Sequence, residues 1–218
     1  MIGDVLDRLR EELPQGVDVV AVSKYFPADS IREAYAAGQR MFGESRVQEL
    51  LVKRNELPDD IQWHFIGHLQ TNKVRLIAPF VSLIHAVDSE HLLEEISRQG
   101  ERCGRVIPCL LQLHVAQEET KFGFTPGECI AMLEKGEWRL MTGAQIAGVM
   151  CMASNTDDER QIEAEFGLVR KTFETIRLRF FADNDVFRHC SWGMSGDYPI
   201  AVRTGATLVR IGSMIFRA

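Results

Sequence analysis

Lys24 closes an apolar run, Val17-Asp18-Val19-Val20-Ala21-Val22-Ser23. An amine in that place projects into whatever site the carboxyl edge of a sheet builds. There it can neutralise a phosphate or carboxylate, or form a Schiff base with an aldehyde. Towards the other end of the chain, Gly193-Met194-Ser195 and Val209-Arg210-Ile211-Gly212-Ser213 each set small residues and a hydroxyl just after an apolar run. Phosphate cradles need that combination. One amine and two phosphate-type loops point to a phosphorylated aldehyde as the ligand.

Each of these residues also has a plainer reading. Lys24 alone could be a surface lysine just past a strand. Several polar strand ends weigh against that: Glu44 and Ser45, His68 and Gln70, Ser195, and Ser213. Arg210 sits inside the otherwise apolar Leu208, Val209 and Ile211. Burying a guanidinium without partners costs several kcal/mol, so Arg210 faces either a polar ligand or a buried carboxylate. His64 and His68 are four apart, but Trp63-His64-Phe65-Ile66 reads as a strand, where they share no face as they would on a helix; a metal pair is disfavoured. Lys73 and Lys121 are rival amines, with Glu118-Glu119 as natural ion partners for Lys121. Neither Gly-x-Gly-x-x-Gly nor a Walker A pattern occurs, so nucleotide cofactors have no support.

The elements that must position these groups alternate along the whole chain. Strand-like runs are expected at Val17–Val22, Arg40–Gly43, Gln62–Gly67, Val81–Val87, Val106–Val115, Ile146–Cys151, His189–Gly193 and Thr207–Gly212. Between them lie helical patterns, at Ala28–Ala37, Arg46–Asn55, Asn72–Ala78, after Asp88 or Ser89, from Thr125-Pro126 through Met132, from Asp157 or Asp158 to about Phe180, and at Tyr198–Arg203. Such alternation implies parallel pairing through helical crossovers. Eight units predict a closed (β/α)8 barrel of the TIM type, with an open doubly wound sheet as the alternative; the chemistry of such barrels sits at the carboxyl ends of the strands. A helix over Ile2–Leu13 is expected to cover the barrel's bottom or side, and no helix is expected after the last strand.

The chain has 218 residues, 45% hydrophobic and 26% charged, with a formal net charge of −6. That fits one soluble domain spanning residues 1–218, near the lower size limit of the barrel. No basic stripe serves nucleic acid, and no apolar run approaches a membrane span. Cys103, Cys109, Cys129, Cys151 and Cys190 form no Cys-x-x-Cys pair, which fits reduced thiols and a cytoplasmic location.

Several segments together resemble one family. They are Ala21-Val22-Ser23-Lys24, Phe42 to Glu49, Trp63 to Lys73, Glu119-Thr120-Lys121-Phe122-Gly123, Gly148-Val149-Met150, Gly193 to Asp197, and Val209 to Phe216. The chain is similar, over nearly its whole length, to the pyridoxal-phosphate homeostasis proteins (the PROSC or YggS family). That resemblance implies a barrel like the N-terminal domain of alanine racemase, holding pyridoxal 5'-phosphate. It implies that Lys24 is the Schiff-base lysine and that Arg210 faces the pyridine nitrogen. It also implies that Ser195, Gly212 and Ser213 contact the phosphate. Ser45 stands where the family usually carries asparagine near the cofactor. Relatives are regarded as carriers or regulators of the cofactor, without an established turnover. The expected partners are therefore the cofactor and transient cofactor-dependent client enzymes, with neither nucleic acid nor membrane among them. Two readings compete with a binding role. One is a cofactor-dependent enzyme such as an amino-acid racemase, although 218 residues leave no room for that enzyme's second domain. The other is a lyase or aldolase-like barrel using Lys24 directly.

Overall fold

The computed structural model describes residues 1–116 and 122–217. Eight strands follow one another around a closed, all-parallel barrel: β1 (Asp18–Val22), β2 (Met41–Glu44), β3 (Gln62–Phe65), β4 (Leu83–Val87), β5 (Ile107–Leu113), β6 (Ala144–Cys151), β7 (His189–Ser191) and β8 (Leu208–Ile211). The barrel closes where β8 pairs with β1, with Val20 opposite Arg210 and Ala21 opposite Ile211. Closure rules out the open-sheet alternative.

Each strand has two buried faces, which is why the strands read as near-continuous apolar runs. Inward, Val20, Leu83, Ala86, Leu110, Ala147, Met150 and Leu208 fill the barrel. Outward, Phe42, Trp63, Phe65, Ile84, Leu111 and Val209 pack under the helices. The helical layer comprises α1 (Ile2–Glu12), α2 (Ala28–Ala36), α3 (Val47–Glu56), α4 (Thr71–Ile77), α5 (Glu90–Arg102), α6 (Pro126–Lys135), α7 (Glu159–Phe180), α8 (Tyr198–Arg203) and α9 (Ser213–Phe216).

Capping follows the sequence signals. Ser89 accepts from Leu92 N at the start of α5, and Asp158 accepts from Arg160 N and Gln161 N at the start of α7. Thr125 and Glu128 form a capping box that spans Pro126 at the start of α6.

One expectation is corrected. A helix does follow β8, the single turn α9. Four residues are too few to leave an amphipathic period in the sequence. The helix α1 takes one of the two places expected for it, packing on the side of the barrel against α2 and α9 and burying Ile2, Val5, Leu6 and Leu9. It fills the place beside the β8–β1 seam that a full-length eighth helix would take. Strand ends are also trimmed: β7 stops at Ser191 instead of Gly193, and β5 at Leu113 instead of Val115. The residues beyond those ends turn away to build loops.

Candidate functional site

The strands deliver their polar residues to one cavity of about 660 Å³ at the carboxyl edge, within the usual size for small-molecule sites. Lys24, Ser45, Ser195, Arg210, Gly212 and Ser213 all line it. Val22, Phe26, Ile66 and Met152 form apolar wall. Tyr25, Phe122 and Met194 are well exposed and also line the cavity.

Arg210 enters from β8, buried at 5% exposure. Its Nη1 donates to Ser191 O at 2.7 Å and Ser191 Oγ at 2.6 Å, and its Nη2 donates to Cys151 O at 2.8 Å. Among the described residues no carboxylate pairs with it. The sequence left open a buried ion pair; neutral oxygens hold the guanidinium instead. Those three bonds use three of the five N–H groups a guanidinium carries, leaving two for a ligand.

Lys24 stands at the end of β1, its Nζ 5.8 Å from the centroid of the Tyr25 ring. Tyr25 has φ 70°, the left-handed region that costs a bulky residue free energy and recurs at functional sites. The surroundings hold this conformation. Tyr25 N donates to Glu49 Oε1 at 2.7 Å. Ser23 Oγ donates to Glu44 Oε1 at 2.5 Å. One buried ammonium gathers both strings, for Lys53 Nζ donates to Ser23 O (2.8 Å), Glu44 Oε1 (2.7 Å) and Glu49 Oε1 (2.7 Å). Burial pushes the Glu44 carboxyl up, while hydrogen bonds from Lys53 and Ser23 oppose the shift. Glu44 was expected among the strand-end polar groups of the site. It faces the helical layer instead, and acts on the site through the backbone on either side of Lys24. Lys53 escaped the sequence reading, although Glu49 four residues earlier carried the i, i+4 signal of an ion pair.

The loops after β7 and β8 meet. Gly193 (φ 91°) turns the chain out of β7, and a Cβ there would overlap Ala201. Asp197 accepts from Met194 N at 2.5 Å, and Gly212 N donates to Ser195 Oγ at 3.4 Å. On the β2–β3 side the backbones come together at Gly67, where a Cβ would overlap Ser45 O. That leaves Ser45 against the cavity.

The remaining candidates separate. His68 lines the cavity, stacks on Phe122 with centroids 4.2 Å apart, and shares Nδ1 with Asp88 Oδ2 at 2.9 Å. Gln70 is the N-cap residue of α4 and lies outside the cavity, as does Lys73 on α4. His64 points into the barrel, where its Nδ1 meets His85 Nε2 at 2.9 Å; it and His68 share no face. Lys121 lies outside the described residues.

An amine and an arginine that has no carboxylate partner among the described residues face one cavity beneath two hydroxyl-bearing loops, which defines a barrel protein whose site is suited to a small anionic carbonyl compound. The chain belongs to the family of pyridoxal phosphate homeostasis proteins: its residues 4–218 match the family model for the alanine racemase N-terminal domain, and homologues so named cover almost all of it. One, from Aquifex aeolicus, is 35% identical over 200 residues, covering 91% of this chain and 85% of the relative. Solved structures agree. PipY from Synechococcus elongatus without pyridoxal phosphate superposes with a TM-score of 0.93 at 38% identity, over 99% of this chain and all of PipY. PipY with pyridoxal phosphate bound gives 0.89 at 37% identity over the same coverage.

Proposed function

We propose that this protein binds pyridoxal 5'-phosphate as a Schiff base on Lys24 and acts as a carrier or regulator in vitamin B6 homeostasis, passing the cofactor to dependent client enzymes. The observation that carries the reading is the convergence of Lys24, Arg210, Ser195, Gly212 and Ser213 on one cavity. The bound cofactor would supply the aldehyde. Lys24 supplies the amine that captures it. Ser195, Ser213 and the backbone around Gly212 are suited to a dianionic phosphate. Ser45 lines the same cavity. The likeness to PipY, which has been solved with pyridoxal phosphate bound, supports the same ligand here.

Arg210 supports binding over turnover. A guanidinium in a protein keeps its protons, so a ring nitrogen facing it must act as acceptor and stay unprotonated. An unprotonated ring is a weaker electron sink than a pyridinium, which disfavours chemistry that depends on extended charge delocalisation into the ring.

The test is a spectrum of the purified protein with added cofactor, then borohydride reduction and peptide mapping. The expected result is an imine absorption band and a pyridoxyl group on Lys24. Label on Lys73 or Lys121 alone overturns the assignment. Measurable racemisation of a panel of amino acids overturns the binding role.

A further inference from the structure

Barrel interiors are ordinarily filled by apolar side chains in layers. This one holds a continuous polar chain beneath the cavity. His64 Nδ1 meets His85 Nε2 at 2.9 Å, His85 Nδ1 meets Ser191 Oγ at 2.9 Å, and Ser191 Oγ meets Arg210 Nη1 at 2.6 Å. The four residues come from β3, β4, β7 and β8, and each is at most 5% exposed. Burying four polar groups where Leu or Val would pack is costly unless every one is satisfied and the set has a task.

The direction of these bonds follows from one obligate donor. Arg210 can only donate, so Ser191 Oγ accepts from it. No other acceptor for the Ser191 hydroxyl occurs among the described residues, so its proton goes to His85 Nδ1. His85, neutral, then carries its proton on Nε2 and donates to His64 Nδ1, which leaves the proton of His64 on its own Nε2. Neutrality of both rings is built in. Burial pushes His64 down to about 3, and burial, with His64 and Arg210 adding to it, holds His85 well below the usual range.

We propose that Ser191, His85 and His64 are positioning residues for Arg210: they fix the plane of its guanidinium and aim its two remaining N–H groups into the cavity. Ser191 does this twice, through its hydroxyl and through its carbonyl oxygen. His85, itself oriented by His64, is the only proton acceptor for that hydroxyl among the described residues and so keeps its lone pairs turned to Arg210. The claim on the ligand rests on the reading that the cavity takes pyridoxal phosphate; the claim on proton order and guanidinium fixation does not.

The apo-protein therefore supplies the first test. Long-range nitrogen–proton correlation spectra should place the proton on Nε2 of both His85 and His64, and a proton on Nδ1 of His85 overturns the order. Exchange of the Arg210 Nε proton should quicken at least tenfold in His85→Leu and in the double variant H64L/H85L, which orphans no second imidazole if the single variant folds poorly. It should stay slow in His85→Gln, whose amide offers an acceptor to Ser191 and a donor to His64. Unchanged exchange in both leucine variants overturns the proposal. Titration with pyridoxal 5'-phosphate is the second test. H85L should lose about tenfold in affinity, the scale of one hydrogen bond to a charged group, with a displaced absorption maximum; H85Q should recover most of both. Wild-type affinity and absorption in H85L overturn the ligand claim. Failure of the wild type to bind the cofactor at all defeats the functional reading instead, and the exchange experiment still decides the fixation of Arg210.

Discussion

Gly212 donates its backbone N–H to Ser195 Oγ across 3.4 Å, which ties the loop after β7 to the loop after β8 inside the cavity. The contact is long, so a stronger acceptor such as a phosphate oxygen would take over the amide and leave the hydroxyl free to donate. On the proposed reading, pyridoxal and its phosphate form the same imine with Lys24, which leaves the discrimination to these loops. Hydrogen bonds to charged groups contribute about 1.5–3 kcal/mol each. The double change Ser195→Ala with Ser213→Ala should therefore reduce the preference for the phosphorylated ligand by a few decades at most, and only in part, because the amides remain. Comparative titration of both ligands checks this. Equal wild-type affinity for the two would remove the loops from the phosphate site.

Lys53 is expected to be a stability residue as much as a site residue. Removing one partner from a buried ion pair strands the other and costs about 3–5 kcal/mol. Lys53→Met should fall in that range in urea unfolding, since Glu44 is fully buried and its Oε2 already lacks a partner among the described residues. Adding Glu44→Gln should return part of the loss. Cofactor affinity should fall in both variants, because Ser23 and Tyr25, the neighbours of Lys24, lose their anchor. A K53M protein of unchanged stability would show that the clamp contributes nothing net.

Ser45→Asn should raise affinity for pyridoxal phosphate by about 0.5–1.5 kcal/mol, the range of one net hydrogen bond. An amide brings two donors and longer reach where the hydroxyl has one. Ser45 borders a cavity of about 660 Å³, which can receive the larger side chain. A titration in which affinity is unchanged or lower would mean that a neighbour or a water already fills that role.

Acid should unfold the protein through its barrel histidines. His64 is depressed to about 3 in the fold against about 6.5 in an unfolded chain, and His85 is depressed as well. Between those values the unfolded state binds more protons, so stability is fully present above pH 6.5 and falls as the pH drops towards 3. Each histidine contributes a slope of up to about 1.4 kcal/mol per pH unit. Urea midpoints measured from pH 7.5 to 4 should show this loss, and H64L/H85L should flatten it. An equally steep profile in the double variant would assign the acid sensitivity to other groups.

Much of this architecture is written in the chain. Strands buried on both faces announce themselves as runs of Val, Ile and Leu, and their number and alternation with helices lead to a barrel. Lys24 and Arg210 stood out because charge interrupts or ends an apolar run. His85, inside Leu83-Ile84-His85-Ala86-Val87, carried the same signal as Arg210 and could have been read the same way. Lys53 could not. In Val52-Lys53-Arg54 it looks like any solvent-facing helical lysine, and only the packing of α3 over β2 puts Glu44 within its reach. Ser191 is equally silent, because its role depends on Arg210, which lies 2.6 Å away in space but on the next strand of the sequence.

The seam between β1 and β8 has a consequence for biosynthesis. A ribosome delivers the strand leading to Lys24 first among the eight and the strand bearing Arg210 last, yet the two lie side by side in the barrel, Val20 opposite Arg210. Such distant pairing forms late, because the intervening chain must be ordered before the contact rewards it. A nascent chain can present the amine well before it can present the guanidinium or the two hydroxyl loops. Any aldehyde captured at that stage would be held by the imine alone, without phosphate contacts to slow its hydrolysis. On the proposed reading of the site, selective retention of the ligand is thus a property of the finished molecule, with the barrel closed between β8 and β1.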